Sequence, residues 1–79
     1  MSSKVDIMTR LVLENTVRDQ RQAMGLTQQE LGELVGVSRQ SINAIEQGKY
    51  LPSLPLAMQL AKAFGLGTDD LFTLRELRR

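Results

Sequence analysis

The chain has 79 residues, of which 42% are apolar and 24% charged, and its 10 basic and 9 acidic side chains nearly cancel. This composition is typical of one folded domain and not of a disordered segment. The chain contains neither cysteine nor histidine, which excludes disulfide scaffolds, thiol catalysis and the commonest general acid–base group. We therefore expect no enzyme activity, no catalytic residue, no metal site and no cofactor.

The chain shows no sign of a membrane segment or an export signal. No apolar run approaches the ~20 residues that a membrane-spanning helix needs, and the N-terminus lacks the apolar core of a signal peptide. We expect a cytoplasmic protein without a membrane partner. Because the net charge is only +1, evidence for a nucleic-acid partner has to come from local sequence patterns.

Five short helices are predicted from the spacing of apolar residues and the positions of glycine and capping residues. The first covers residues 14–24. The next four begin at the N-cap residues Thr27, Ser38, Ser53 and Thr68. Apolar residues surround most of the fourth helix, so we expect it to be the most buried. Because no clear alternating strand pattern follows residue 14, the predicted fold class is all-α.

The two ends of the chain are less regular. Residues 1–13 contain six apolar side chains that fit neither a helix nor a strand cleanly: Val5, Ile7, Met8, Leu11, Val12 and Leu13. This N-terminal extension either pairs with a second copy of the chain or folds back over its own helices. We predict a domain over residues 14–73 and a basic tail over residues 74–79. The fifth helix, with Leu74 and Leu77, is a second candidate dimer surface.

The stretch from residue 28 to residue 47 has the features of two short helices that cross at a tight turn. Gly36 lies in the turn, where a positive φ is expected. Gly32 lies where the two helices approach most closely, so a large side chain would clash there. Apolar residues mark the inner side of both helices: Leu31, Leu34, Val35, Ile42 and Ile45.

This pattern resembles the helix-turn-helix of the phage-repressor and Cro-like family, also called the Xre family. The matching runs are Arg21–Leu31, Val37–Ser53, Leu60–Leu66 and Asp70–Phe72. The resemblance covers about residues 14–73 and departs at Gly32, where the family usually has alanine; since both residues are small, we expect the packing to survive.

The resemblance implies a five-helix DNA-binding domain with its helix-turn-helix in helices 2 and 3. The function it implies is that of a sequence-specific transcriptional regulator that inserts helix 3 into the major groove of double-stranded DNA. The small footprint of one such domain favours a homodimer on a palindromic operator. The alternative is a protein-interaction module of the same fold, such as an antitoxin or a bridging co-regulator. No small-molecule effector is evident.

One face of the third helix carries the candidate base contacts. At 100° per residue, an arc of this helix collects Arg39, Gln40, Asn43, Ala44 and Gln47. Guanidinium and amide groups are the types that recognise base edges in the major groove. In the resembled family the base contacts lie near the N-terminus of this helix, which favours Arg39, Gln40 and Asn43.

Contacts with the DNA backbone are expected from residues around the same two helices: Arg18, Thr27, Gln28, Ser38, Gln47, Lys49 and Tyr50. Thr27 combines a hydroxyl with a helix N-terminus, which favours anions. The resemblance gives Gln28 two roles, a phosphate contact and support of Gln40. Tyr50 either donates to a phosphate or covers the edge of the core.

Arg21 and Glu46 are predicted to form a structural ion pair, because each borders the apolar side of its helix. The resembled family has a partly buried pair at these positions. Its expected role is to fix the angle of the third helix rather than to add net stability.

Overall fold

The computed structural model describes residues 9–78, and the side chains of residues 11–77. In chain order the elements are β1 (Thr9–Asn15), α1 (Val17–Ala23), α2 (Gln28–Val35), α3 (Arg39–Glu46), α4 (Leu54–Ala63), α5 (Thr68–Leu71) and β2 (Phe72–Arg78). The predictions for residues 1–8, including the apolar residues Val5, Ile7 and Met8, lie outside the described residues.

The helix starts predicted from capping residues are confirmed for α2, α3 and α4. The Thr27 hydroxyl accepts from the Glu30 backbone N–H at 3.0 Å, and the Glu30 carboxylate accepts from the Thr27 N–H at 2.8 Å. Ser38 and Ser53 accept in the same way from the backbone N–H three residues ahead. Each cap satisfies a donor that has no partner inside its helix.

The core lies between the inner faces of the helices and the start of β2. Its buried side chains are Val17, Leu31, Val35, Ile42, Ile45, Leu56, Leu60, Ala61, Leu71 and Phe72. Two predictions of burial are wrong. Leu34 is 62% exposed, and α4 buries only one face, since Leu54 and Met58 are 70% and 56% exposed. A bundle of such short helices has too few neighbouring elements to cover a second face of α4.

The prediction of an all-α fold is wrong, because the first and last described elements are strands. β1 and β2 pair antiparallel, with Asn15 opposite Phe72 at one end and Thr9 opposite Arg78 at the other. The fifth helix has only four residues, and its N-cap residue is Gly67 instead of the predicted Thr68. Residues 74–78, predicted as a tail, belong to β2, and residues 14–15, predicted as helix, belong to β1.

This two-stranded ribbon is joined to the helical core at one end. Phe72 is buried, Leu13 packs against the core, and the Thr16 backbone N–H donates to the Leu71 carbonyl at 3.1 Å. Two strands alone are at most marginally stable in water, so these contacts are what hold the ribbon. Further out, Leu11 and Leu74 are 63% and 65% exposed, and the register places them on the same face.

Candidate nucleic-acid interface

A three-residue turn joins α2 to α3 and sets their crossing. Gly36 has φ of +78°, a left-handed conformation that residues with a Cβ rarely adopt. The Val37 backbone N–H donates to the Gly32 carbonyl at 2.9 Å, which closes the turn. Leu31 and Ile42 are fully buried where the helices meet, so the orientation of α3 is set by packing as well as by the turn.

The backbone of the turn lies closer to Gly32 than the sequence suggested. A Cβ at this position would lie 2.5 Å from the Val37 carbonyl oxygen, well inside van der Waals contact. The obstructing atom belongs to the backbone and cannot rotate away. The packing with glycine is intact, as expected, and the expected clash of a large side chain extends to alanine unless the turn shifts.

The two faces of α3 are divided as the helical arc predicted. Ile42 and Ile45 are fully buried. Arg39 and Gln40, in the first turn of the helix, are exposed, and Asn43 is half-buried. Gln47, the C-cap residue, is exposed, and its side-chain amide donates to the Asn43 side-chain oxygen at 3.4 Å. The outer face of α3 is therefore polar and open to solvent at its N-terminal end.

Arg21 and Glu46 form the predicted ion pair. The Nε–H of Arg21 donates to Oε2 of Glu46 at 2.6 Å, and an Nη2–H donates to Oε1 at 3.2 Å. The side chain of Glu46 is 0% exposed and that of Arg21 is 12% exposed. Arg21 also donates to the Leu26 carbonyl at 2.9 Å. This two-pronged contact ties the end of α3 to α1.

The pKa values of both partners are shifted. Burial acts to raise the pKa of Glu46, but hydrogen bonds from Arg21 and Gln28 outweigh it and bring the pKa below the ordinary 4.5. The hydrogen bond to Glu46 raises the pKa of Arg21. Both groups are therefore charged at neutral pH, and Glu46 acts only as a hydrogen-bond acceptor.

Arg18 lies beside the same carboxylate. Its Nε–H donates to Oε1 of Glu46 at 3.4 Å, and its side chain is 51% exposed. The long contact and the exposure leave the guanidinium able to swing toward another anion, which is compatible with the predicted phosphate contact.

Gln28 contacts a different residue from the predicted one. Its side-chain N–H groups donate to Oδ1 of Asn43 at 3.1 Å and to Oε1 of Glu46 at 3.0 Å. The expectation that Gln28 supports Gln40 is therefore wrong. Within the described residues, the hydrogen-bond partners of Gln28 on α3 are Asn43 and Glu46. The charged Glu46 carboxylate is the stronger acceptor and takes one hydrogen of the Gln28 amide, and the Asn43 side-chain oxygen lies within reach of the other.

The remaining predicted backbone-contacting residues lie at the helix ends and in the loop after α3. Thr27 and Ser38 are exposed, and their hydroxyls already cap α2 and α3. Lys49 and Tyr50 are exposed in the loop. The Lys49 backbone N–H donates to the Ala44 carbonyl at 2.9 Å, which fixes where this loop leaves the helix.

Asn15 is a structural residue of this region that the sequence analysis missed. Its Nδ2–H donates to the Ile45 carbonyl at 3.0 Å, and its Oδ1 accepts from the Val17 backbone N–H at 3.0 Å. One side chain thus joins the end of β1, the start of α1 and the last turn of α3. Asparagine commonly accepts from the backbone N–H two residues ahead, but here that signal was hidden inside a helix predicted to start at Glu14.

Other kinds of site find little support in the part of the chain that the structure describes. None of its helices has the length and apolar character to cross a membrane. No group of three or more acidic side chains among these residues is placed to hold a metal ion.

Comparison with known proteins identifies the family. The family model described as Helix-turn-helix matches residues 17–71. The HTH-type transcriptional regulator YgzD of Bacillus subtilis (strain 168) is 47% identical over 64 residues, which are 81% of this chain and 97% of that protein.

Two solved structures have a similar fold. The P22 c2 repressor, in complex with a synthetic operator, superposes with a TM-score of 0.65 and 30% identity, over 67% of this chain and 80% of that one. The restriction-modification controller protein C.AhdI of Aeromonas hydrophila gives a TM-score of 0.64 and 31% identity, over 68% and 82% of the two chains. The chain belongs to the helix-turn-helix family of DNA-binding transcriptional regulators, of the phage-repressor and Cro-like type that its sequence resembles.

Proposed function

We propose that this protein binds specific double-stranded DNA sequences by inserting α3 into the major groove. The observation that carries the proposal is the pair of exposed side chains, Arg39 and Gln40, at the start of a helix whose other face is buried. Arginine and glutamine at such a position recognise guanine and adenine edges, respectively. The helix is held by a buried ion pair at its far end, so its outer face is rigid.

Contacts to phosphate are proposed for the residues around this face. Lys49 and Tyr50 follow α3, Arg18 lies on α1, and Thr27, Gln28 and Ser38 lie at the starts of α2 and α3. Because both side-chain hydrogens of Gln28 are donated to Asn43 and Glu46, its contact with a phosphate would use the backbone N–H, which has no partner inside α2. Gln47 ends α3 on its exposed face. Such contacts place a domain on the duplex without discriminating between sequences.

The experiment that tests this function is selection of binding sites from randomised duplexes. We expect a short enriched motif at moderate salt. A library that returns no enriched sequence would count against base readout and favour the other candidate, a protein-interaction module such as an antitoxin or a bridging co-regulator.

We further propose that the protein binds a palindromic operator as a homodimer. Support comes from the ribbon: two candidate dimer segments of the sequence, residues 9–13 of the N-terminal extension and the region of Leu74, are paired strands of one element. Leu11 and Leu74 share one face of it and are largely exposed. Burying these leucines against a second copy would remove apolar surface from water.

The dimer proposal is tested by sedimentation of Leu74→Asp beside Leu54→Asp. Both leucines are exposed to a similar degree, 65% and 70%, but only Leu74 lies on the ribbon. We expect Leu74→Asp to be monomeric and to lose operator affinity, while Leu54→Asp stays dimeric. A dimer that survives Leu74→Asp and dissociates with Leu54→Asp would move the interface to α4.

A further inference from the structure

The side-chain amide of Gln28 stands between a charged group and a residue of the outer face of α3. One nitrogen, Nε2, lies 3.0 Å from Oε1 of Glu46 and 3.1 Å from Oδ1 of Asn43. An amide nitrogen carries two hydrogens, so it serves both acceptors at once. Three side chains on α2 and α3 thus form a short chain of hydrogen bonds that ends at a candidate base contact.

The charge on Glu46 fixes the direction of this chain. A carboxylate without a proton can only accept, so the atom of Gln28 that faces it has to be the nitrogen and not the oxygen. The second hydrogen of that nitrogen points to Asn43, where it needs an acceptor, so the carbonyl oxygen of Asn43 turns inward. The fully buried Glu46 side chain and its bond to Arg21 hold the start of the chain in place.

Asn43 is therefore left with its amide nitrogen as the free end. Its carbonyl oxygen accepts from Gln28, and from Gln47 at the longer distance of 3.4 Å. Within residues 11–77 its own NH₂ group donates to no protein atom. The Asn43 side chain thus presents two hydrogen-bond donors to a bound molecule, while its acceptor oxygen is already occupied.

This polarity matters for base recognition. Asparagine pairs with adenine through both of its polar atoms, because adenine presents a donor beside an acceptor in the major groove. Guanine presents two adjacent acceptors, N7 and O6. A side chain whose oxygen is occupied matches guanine and leaves the N6 donor of adenine without a partner.

We propose that Glu46 and Gln28 together orient Asn43 as a donor-only contact, which selects guanine over adenine at one base pair of the operator. This rests on the proposed function, since it presumes that α3 lies in the major groove. In it, Gln28 is a positioning residue and Asn43 the residue that touches the base.

The first test compares site selection for the wild type and Asn43→Ala. The base pair at which Asn43→Ala loses preference is the one that Asn43 contacts, and we expect guanine there in the wild type. Adenine at that position overturns the inference, while selection that persists elsewhere through Arg39 keeps the proposed function intact. A wild type that selects no sequence at all overturns both.

The second test releases Asn43 by removing the group that orients it. In Gln28→Leu, we expect the preference for guanine over adenine at this base pair to fall about tenfold, the lower end of what one paired contact contributes. The matched control is Gln29→Leu, because the Gln29 amide lies on the same helix but donates to Glu33 at 3.2 Å. An unchanged guanine-to-adenine ratio in Gln28→Leu, with wild-type helical content, contradicts the role of Gln28.

A third variant keeps the hydrogen bond from Gln28 and replaces the exposed donor of residue 43 by an acceptor. In Asn43→Asp one carboxylate oxygen still accepts from Gln28, while the other presents an acceptor where the NH₂ group was. We expect the selected base to change from guanine to cytosine, whose N4 amino group is a donor, with weaker binding overall because of the added negative charge. Continued selection of guanine by Asn43→Asp would overturn the proposal even if Gln28→Leu failed to fold.

Discussion

The side chain of Asn15 donates a hydrogen bond to the backbone carbonyl of Ile45 at 3.0 Å. This contact joins the ribbon to the last turn of α3, whose terminal carbonyls have no partner inside the helix. The same side chain, one residue before the N-cap Thr16, accepts from the Val17 N–H through its Oδ1. The position of α3 thus depends on a residue that lies outside the helix-turn-helix.

We expect Asn15→Ala to lower the free energy of unfolding by roughly 1–2 kcal/mol, because it removes two hydrogen bonds, one to the Val17 N–H and one to the Ile45 carbonyl, which then keeps only the Gly48 N–H at 3.0 Å. Urea titration of the full chain measures this. Gln22→Ala, at an exposed position of α1, is the control and should change stability by less than about 0.5 kcal/mol. Equal losses in the two variants would show that the Asn15 contacts contribute nothing.

The coupling between Arg21 and Glu46 is measurable by a double-mutant cycle with Arg21→Met and Glu46→Met. Each single change breaks the buried pair, which costs up to about 3–5 kcal/mol, although after Arg21→Met the Glu46 carboxylate keeps the longer contact with Arg18 at 3.4 Å. The double variant should lose less than the sum, with a coupling free energy of roughly 1–3 kcal/mol. The control is Arg75 with Glu14, a 2.7 Å pair whose side chains are about half exposed, and its coupling should not exceed about 1 kcal/mol. Equal coupling in both cycles would refute a special role for the buried pair.

The acid limb of stability should depend on Glu46. Its pKa in the folded protein lies below 4.5, so between the two pKa values the unfolded chain binds the extra proton. The stability that this carboxylate contributes is therefore complete above pH 4.5 and is lost as the pH falls through the folded-state pKa. Urea titrations between about pH 6 and pH 3 measure the free energy of unfolding of the wild type and of Glu46→Gln. The difference between the two proteins should shrink as the pH falls. A constant difference across this range would contradict the assignment.

Arg39 and Lys49 should affect DNA binding in different ways. If Arg39 contacts a base, Arg39→Ala should cost roughly 1–3 kcal/mol and relax the preference at one base pair. If Lys49 contacts a phosphate, Lys49→Ala should weaken all duplexes alike and lower the salt slope by about one unit. Fluorescence anisotropy with a selected duplex and a scrambled duplex, over a range of salt, separates the two. A uniform loss on both duplexes for Arg39→Ala would move this residue to the phosphate contacts.

The local signals in the sequence were sufficient to predict the helix-turn-helix. The caps of Thr27, Ser38 and Ser53, and the left-handed turn at Gly36, each depend on residues within one turn of the chain. Capping chemistry and the φ freedom of glycine act at short range, so they are visible without a structure. The buried pair of Arg21 with Glu46 also followed, because each residue borders an apolar stripe and the family resemblance supplies its partner.

Only the tertiary structure showed that the two ends of the described chain pair as a ribbon, and in which direction the hydrogen bonds of Gln28 run. β2 lies opposite β1 from the other end of the chain, and a strand is stabilised by its partner more than by its own residues. The partners of Gln28 were likewise not predictable, since they depend on which side chains of α3 the crossing angle brings within hydrogen-bonding distance of it. The sequence by itself determined which helices form and which face of α3 is polar. The fold decided which end of the Asn43 amide is free, because the charged Glu46 carboxylate fixes the direction of the hydrogen bonds that reach it through Gln28.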